Sequence, residues 1–493
     1  MALKQKTDKE KLEKQEKKQT ISGANTDHLT ALFAPCSIAV IGASSHEKSA
    51  GYAVLKSLAR GGAFLSETGV AFSGALFAVN PTTEFILGYK CFKSVLDIPE
   101  LVDAAVLCVP AKSVLSVIKE CAKKQVKVAT ILAAGFGETD DAGKKLQEQV
   151  LAIARQAKMR VLGPNSMGVI RPFINMNASF AATMPSSGSI AFLSQSGSLA
   201  NTILASPAAK RYGFSCVVSY GNAADIDESD LMAWLADDLE TKSIALYLEG
   251  CRDGRKLLAV AEQLSKVKPV IVLKGGATHA GAAAVARHHG INAGNPVLYH
   301  TAFEQAGVIE AHTVEELFEF AKTAASQPSA QNSIAVVTNS GAAAVLAADA
   351  AERHGVHLVQ LKDAVMKKLG AVLAPFATHQ FIPSHPLDLG DDAQPQSFRA
   401  ALGVLLDQES VQGVIVVHTL QAMSSVDEVA RVVAEARNAH SGKPVLTVGF
   451  MNRFSKDALH VLEQNGIPDF SDVHRAVKAM KMLILRGERL AKK

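Results

Sequence analysis

Three stretches of this chain share one layout: CSIAVIGASS at 36–45, GSIAFLSQSG at 188–197 and SIAVVTNSG at 333–341. Each is a short run rich in β-branched residues that ends in small hydroxyl residues and glycine, with a helical pattern behind it. A run apolar on both faces suits a strand buried in a parallel sheet, and the small residues suit a tight turn into a helix. Further runs repeat the alternation. The first block adds GALFAVN (74–80), DAAVLCVP (103–110) and VKVATILAAG (126–135), with helical patterns at 111–124 and 140–157. The second adds FSCVVSYG (214–221), SIALYLEG (243–250) and KPVIVLKGG (268–276); the third adds VHLVQL (356–361), GVIVVHTL (413–420) and KPVLTVGF (443–450). Strand and helix in strict turn predict doubly wound parallel sheets. The second and third blocks echo each other and read as related flavodoxin-like domains, an internal duplication.

At 493 residues and 48% hydrophobic content the chain exceeds a single core, and about three domains is the expectation. The blocks divide it into a charged tail (1–28) and domains at 29–174, 175–327 and 328–493. The net charge of +4 concentrates in that tail, where residues 1–19 carry seven lysines against four acids. The remainder is close to neutral and has no basic footprint for nucleic acid. The tail has no apolar core of a signal peptide, and no apolar run reaches the roughly 18 residues a membrane span needs. Six scattered cysteines, with no CxxC pair, fit buried thiols in a reducing compartment. A cytoplasmic protein that binds neither nucleic acid nor membrane is expected.

Candidate sites lie where strands end. The turn IGASSHEKSAGYAV, with Gly42 and Gly51, is not GxGxxG, yet its backbone N–H groups and the following helix start suit a phosphate. Without that fingerprint and its downstream acid, a nicotinamide-dependent oxidoreductase has little support. In SQSGSLAN, Ser196, Gly197 and Ser198 offer hydroxyls and an open backbone at a helix start, and Asn339, Ser340 and Gly341 repeat the arrangement in the third block. Each has a plainer reading as ordinary helix capping. Glu249 closes a strand, where it either orients an imidazole or lies idle at the surface. The segment ARHHGINAG (286–294) reads as a small-residue loop after the strand KPVIVLKGG. Its adjacent histidines are either solvated or one of them is chemical. No metal site is indicated.

Several segments taken in order resemble the NDP-forming acyl-CoA synthetases of the ADP-forming acetate–CoA ligase type, distant relatives of succinyl-CoA synthetase. They include VIGAS, FAVNP, AAGFGET, GPNSMG, AFLSQSGSLA, YLEGCRDGRK, VIVLKGG, AFEQAGVI and TVEELFEFAK, and they run over about residues 30 to 490. The resemblance implies a Rossmann-like CoA-binding domain followed by two flavodoxin-like domains. It implies a reaction in which phosphate cleaves acyl-CoA to acyl phosphate, a histidine takes the phosphoryl group, and a partner module passes it to ADP.

The family's active-site motif, Ser-Ser-His-Thr-Gly-Ser-Leu-Ala-Gly, lies without gaps on 286–294 and puts His288 at the phosphorylated position, with His289 beside it. His279 in THAGA is a competing match. It stands 28 positions from Gly307 of QAGV, where His288 stands 19 away, the separation expected of this branch. The resemblance further implies that Glu249 steadies the phosphohistidine and that Ser196, Gly197 and Ser198 hold its phosphoryl group. Gly42, Ala43, Ser44, Ser45, Lys48, Asn80 and Pro81 fall on the coenzyme A pocket, Val109, Pro110, Ala134 and Gly135 on its rim, and Asn165 near the thiol end.

Arg287, His289, Ile291 and Asn292 depart from the motif, and His385 replaces the Asn of the third-domain Asn-Pro-x-Asp-Leu. Such changes point to an altered acid specificity, to neutral drift or to loss of activity. Nothing after residue 330 resembles an ATP-grasp module. The chain therefore reads as an α subunit acting on a small carboxylic acid or acyl-CoA, with ADP or ATP and Mg2+ carried by a separate ATP-grasp β subunit in a heterotetramer. A CoA-binding sensor or scaffold without chemistry is the competing expectation.

Overall fold

The computed structural model describes residues 26–62, 70–207, 209–289, 292–376, 385–452 and 457–491, with no side chains described at 26, 27, 288 and 289. Two compact units divide the chain at 313/314.

The first unit holds two seven-stranded sheets. The first comprises β1 (Ser37–Ile41), β2 (Ala75–Val79), β3 (Phe85–Ile86), β4 (Tyr89–Phe92), β5 (Ala104–Leu107), β6 (Val128–Ile131) and β7 (Arg160–Leu162), in the order β3-β4-β2-β1-β5-β6-β7. All pairings are parallel except the β3–β4 hairpin. The second comprises β8 (Gly168–Arg171), β9 (Met176–Ser179), β10 (Ser187–Ser194), β11 (Phe214–Ser219), β12 (Ser243–Leu248), β13 (Val270–Lys274) and β14 (Ile309–Ala311), in the order β14-β13-β12-β10-β11-β8-β9. Here β8 and β9 add an antiparallel edge. One apolar core, including Val40, Leu55, Val169, Leu193, Leu246 and Val272, runs under both sheets. The second unit has five parallel strands, β15 (Ile334–Thr338), β16 (Leu387–Asp388), β17 (Gly413–Val417), β18 (Val445–Val448) and β19 (Asp469–Phe470), in the order β16-β15-β17-β18-β19.

The central strands β1, β11, β15 and β17 are buried at every position. This is the reason they read as unbroken apolar runs rather than alternating ones. VHLVQL is not a strand. It contributes only an isolated bridge, Ile334 to Leu358, and the sheet edge beside β15 is taken by β16. The His385 imidazole helps make that edge, because the Val336 N–H donates to its Nε2 at 3.0 Å. Burial holds the ring's pKa down at about 4, so it stays neutral and able to accept.

In each sheet the chain leaves one parallel strand, β1, β10 or β15, to one side and returns on its other side. The crevices therefore open at the carboxyl ends of β1/β5, β10/β12 and β15/β17. No helix of the described residues is long and apolar enough to cross a membrane, and all six cysteines are unpaired.

Candidate functional site

At the β1/β5 crevice the turn is as tight as backbone permits. Gly42 has φ +87°, and a Cβ there would lie 2.8 Å from Val109 Cγ1. A Cβ on Gly51 would sit 2.0 Å from the Gly42 carbonyl oxygen, so both positions require glycine. This closeness sets the start of the Ala50–Arg60 helix directly over the strand end. Ser49 caps that helix by accepting from Tyr52 N at 3.2 Å, and it donates to His46 O at 2.7 Å.

Asn80 organises the loop from outside. Its Nδ2 donates to Ala43 O at 2.8 Å, and its Oδ1 accepts from Thr82 N and Thr83 N. Ser45 and Lys48 are exposed beside the helix start. A tight glycine turn, an exposed lysine and a positive helix end fit the phosphates of coenzyme A.

The expected rim and thiol-end residues meet at the boundary of the two sheets. Glu138 accepts from Gly135 N at 2.6 Å and from Phe136 N at 3.2 Å, and the Asn222 amide donates to it as well. Burial alone would raise the Glu138 pKa; the hydrogen bonds from Asn222 and the backbone outweigh it and hold the carboxyl below its ordinary value. Asn165 takes φ +59° and bonds Ala133 O through its own N–H at 2.9 Å. Two residues on, Met167 packs where a Cβ on Gly197 would go, 3.1 Å from the Met167 Cβ. The GPNSMG segment therefore abuts the start of the Gly197–Ala205 helix. Ser166 is 1% exposed, donates to Ser219 O and accepts from Gly168 N, so a hydroxyl suits this position.

That helix start lies at the β10/β12 crevice. Ser196 caps it, accepting from Leu199 N at 3.2 Å, and shares a hydrogen bond with Ser198 Oγ at 3.1 Å. Gln195, which the sequence reading did not single out, latches it to the neighbouring strand. Its Nε2 donates to Gly250 O at 2.7 Å, while its Oε1 accepts from the N–H groups of Glu249 and Gly250. The latch holds Glu249 at 5% exposure, with Tyr247 OH donating to its Oε1 at 3.0 Å. A buried carboxylate fixed beside a capped helix start can orient and stabilise an imidazolium.

The histidines are placed differently from the loop expected. The Ala-rich segment HAGAAAVARHH forms a helix, His279–His289, in keeping with alanine's helix preference. His279 begins that helix and is exposed, while His288 lies at its far end. The His288 and His289 side chains, with Gly290 and Ile291, lie outside the described residues. The flanks are pinned: a Cβ on Gly276 would meet Ala293 Cβ at 2.8 Å and Val285 Cγ2 at 3.1 Å. Adjacent Gly275 packs on Tyr247 OH and Glu249 Cγ, 2.8 and 3.3 Å from where its Cβ would lie. Both ends of the histidine segment are thus fastened next to the Glu249 strand end.

Asn339, Ser340 and Gly341 belong to the second unit, at its β15/β17 crevice. Asn339 Nδ2 donates to Thr419 O at 2.9 Å, and Asn339 Oδ1 accepts from Thr419 N at 2.8 Å. Ser340 precedes the Gly341–Arg353 helix without a side-chain cap bond. Among the described residues no cluster of His, Cys, Asp or Glu could hold a metal ion.

Comparison with known proteins agrees with this layout. A CoA binding domain family matches residues 36–172, and a succinyl-CoA ligase like flavodoxin domain matches 187–324. Subunit alpha of acetate–CoA ligase [ADP-forming] I from Pyrococcus furiosus is 37% identical over 461 residues, covering 92% of this chain and 97% of that one. Acetate–CoA ligase [ADP-forming] from Methanocaldococcus jannaschii is 39% identical, and the match spans 91% of this chain but 62% of that longer protein. Among solved structures, the Ca. Korarchaeum cryptofilum dinucleotide forming acetyl-coenzyme A synthetase 1, in complex with phosphate and ADP, aligns with a TM-score of 0.84 at 31% identity, over 94% of this chain and 97% of that one. With two domain families in the right order and close relatives matched nearly end to end, the chain belongs to the NDP-forming acyl-CoA synthetase family, on the branch of the ADP-forming acetate–CoA ligase α subunits.

Proposed function

We propose that the chain is the α subunit of an ADP-forming acid–CoA ligase, an acid–thiol ligase that interconverts a carboxylic acid, CoA and ATP with acyl-CoA, ADP and phosphate. In the ATP-forming direction phosphate attacks the thioester carbonyl, the C–S bond breaks, and acyl phosphate and CoA result. The His288 imidazole then attacks phosphorus, the carboxylate leaves, and a phosphohistidine remains. ADP takes the phosphoryl group on the partner and the imidazole is restored.

The turn after β1 and the Asn80-shaped loop hold CoA, with Val109, Pro110, Ala134 and Gly135 along the rim and Asn165 at the thiol end. Glu249 orients the imidazole and offsets its positive charge. The N–H groups and hydroxyls of Ser196, Gly197 and Ser198 receive the phosphoryl oxygens, so that positioning and electrostatics supply the catalysis. Asn339, Ser340 and Gly341 form a second receiving turn. The observation that carries this reading is the Glu249 carboxylate, buried beside a capped helix start, a group that a CoA sensor has no use for.

ADP or ATP with Mg2+ belongs to an ATP-grasp β subunit, in a heterotetramer placed in the cytoplasm, where unpaired cysteines are at home. The relative from Methanocaldococcus jannaschii, longer than this chain, leaves room for such a module fused in line. The test is acyl-CoA synthesis from acetate, CoA and ATP by the purified chain, with and without a co-expressed ATP-grasp subunit. Turnover is expected only with the partner; sustained turnover by the chain alone contradicts the assignment.

A further inference from the structure

Lys274 ends β13, and neither the family comparison nor the sequence reading gives it a role. Its Nζ donates to Glu249 O at 2.7 Å and to Gly275 O. The same ammonium sits 4.6 Å from the centroid of the Tyr299 ring, a cation–π distance. Tyr299 is tied in turn to the strand end: Cys251 N donates to its hydroxyl at 3.1 Å, and the Cys251 sulfur lies 3.3 Å from that oxygen. The ring also closes on the far end of the histidine segment, since a Cβ on Gly294 (φ +78°) would fall 2.6 Å from Tyr299 Cε2. One ammonium therefore joins three pieces of backbone. These are the carboxylate-bearing end of β12, the Gly275–Gly276 turn that leads into the His279–His289 helix, and, through Tyr299, the Gly294 exit from the segment.

We infer that Lys274 is a positioning residue for phosphoryl transfer, holding the Glu249 strand end and both ends of the His288 segment in one geometry. This inference rests on the ligase reading. Leucine or methionine could fill the space, but only a cation can bind two carbonyl oxygens and a ring face together. The arrangement carries its own pH signature. Burial lowers the Lys274 pKa to about 8, against the opposing pull of Cys251 and Glu249. Glu249 faces it from β12, Cys251 from the loop beyond and Tyr299 from the Pro296–Ala306 helix. Glu228 lies further back, acting on Cys251 and Tyr299. None of these makes a second basic group that would hide the loss of the ammonium. As pH rises through about 8 the ammonium is lost, its carbonyl bonds weaken, and transfer slows.

The experiment uses the chain with its β subunit and measures the rate of phosphoenzyme formation from labelled ATP by rapid quench, between pH 6.5 and 9.5. Wild type should lose rate on the alkaline side. Lys274→Met should form phosphoenzyme about 100-fold more slowly at pH 7, the scale of a small misplacement of reacting groups, with the KM for CoA unchanged. Lys274→Arg, charged at every pH tested, should recover most of the rate and lose the alkaline limb. Unchanged CoA binding and melting temperature in the two variants separate positioning from collapse of the fold. Lys274→Met labelling at the wild-type rate, or Lys274→Arg keeping the wild-type limb, overturns the inference. Wild type that does not label, or label that persists in His288→Ala, overturns the ligase reading instead.

Discussion

After β10 the side chain of Gln195 reaches across to the backbone of Glu249 and Gly250; after β15 the side chain of Asn339 reaches across to the backbone of Thr419. The registers make the two turns equivalent. Ser194 lies opposite Tyr247 and Thr338 opposite Val417, so the residues two further on, Glu249 and Thr419, correspond. An amide latch recurs because two parallel strands that part at a switch point leave backbone N–H and C=O groups without partners, and an Asn or Gln side chain satisfies at least one of each. The carboxylate does not recur at that position, which Thr419 takes; the acid beside the second helix start, Asp388, comes instead from β16 on the other side of β15. What the fold requires is common to both turns, and what proposed phosphohistidine chemistry requires is present only in the first.

The largest expected difference between the turns is therefore catalytic. Glu249→Gln should slow phosphoenzyme formation about 100-fold, the upper range for a group that orients a reacting imidazole, while Thr419→Val should leave it within about twofold. Quench-flow labelling of both variants measures this, and equal effects would erase the distinction.

Next come the latches. Gln195→Ala strands buried backbone groups and Asn339→Ala half-buried ones, and each should cost about 2 kcal/mol in chemical denaturation. Only Gln195→Ala should also slow labelling.

The units should then part in their response to acid. In the second unit His418 is 1% exposed, packed between Phe398 and Phe450, and neither ring nitrogen has a hydrogen-bond partner. Burial lowers its pKa to about 4 from an ordinary 6.5, as it does for His385. The folded second unit thus binds fewer protons than the unfolded chain between those values. This stabilisation is complete above pH 6.5 and is lost as pH falls toward 4. In the first unit burial raises Glu228, 2% exposed, to about 7 from 4.5. Its contribution is complete below 4.5 and is lost as pH rises to 7. On moving from pH 7 to 5, the opening free energy read from amide exchange, corrected for the intrinsic rate, should fall in β15 and β17 relative to β10 and β12, by at most about 1.4 kcal/mol per pH unit for each histidine. His418→Leu should flatten the response of the second unit; a response unchanged in that variant would remove His418 from the account.

The smallest expected difference lies in the caps. Ser196 accepts from Leu199 N, whereas Ser340 makes no cap bond with its side chain. Ser196→Ala should cost about 1 kcal/mol and Ser340→Ala close to nothing, as read by thermal melting. A cost for Ser340→Ala equal to that for Ser196→Ala would make the two turns alike in this respect.

What the sequence made legible follows from how directly each feature is written in local chemistry. The central strands were readable because burial on both faces demands unbroken apolar runs, and the turns because Gly42 and Gly51 have no space for a Cβ. The edges were not. VHLVQL has a strand's composition, but the partner position beside β15 goes to two residues, Leu387 and Asp388, behind the His385 acceptor, and no local pattern announces that. The antiparallel pair β8 and β9 was also missed, since it is short and joins a sheet formed mainly by later strands. At the candidate site, Glu249 and the serines were found by their place at strand ends. Gln195, Lys274 and Tyr299 act on backbone groups far away in sequence, and only a fold brings them to those groups. The histidine segment was read as a loop because glycine and polar residues follow it, although its alanines carry the helix through 289.

The account turns on which imidazole carries the phosphoryl group. Phosphopeptide mapping of the chain labelled with its β subunit and ATP, digested under alkaline conditions that preserve phosphohistidine, tests it most directly. The account predicts a single acid-labile modification on His288, absent from His288→Ala and reduced in Glu249→Gln. Modification at His289 or His279, or an unmodified chain in a mixture that makes acyl-CoA, would contradict it.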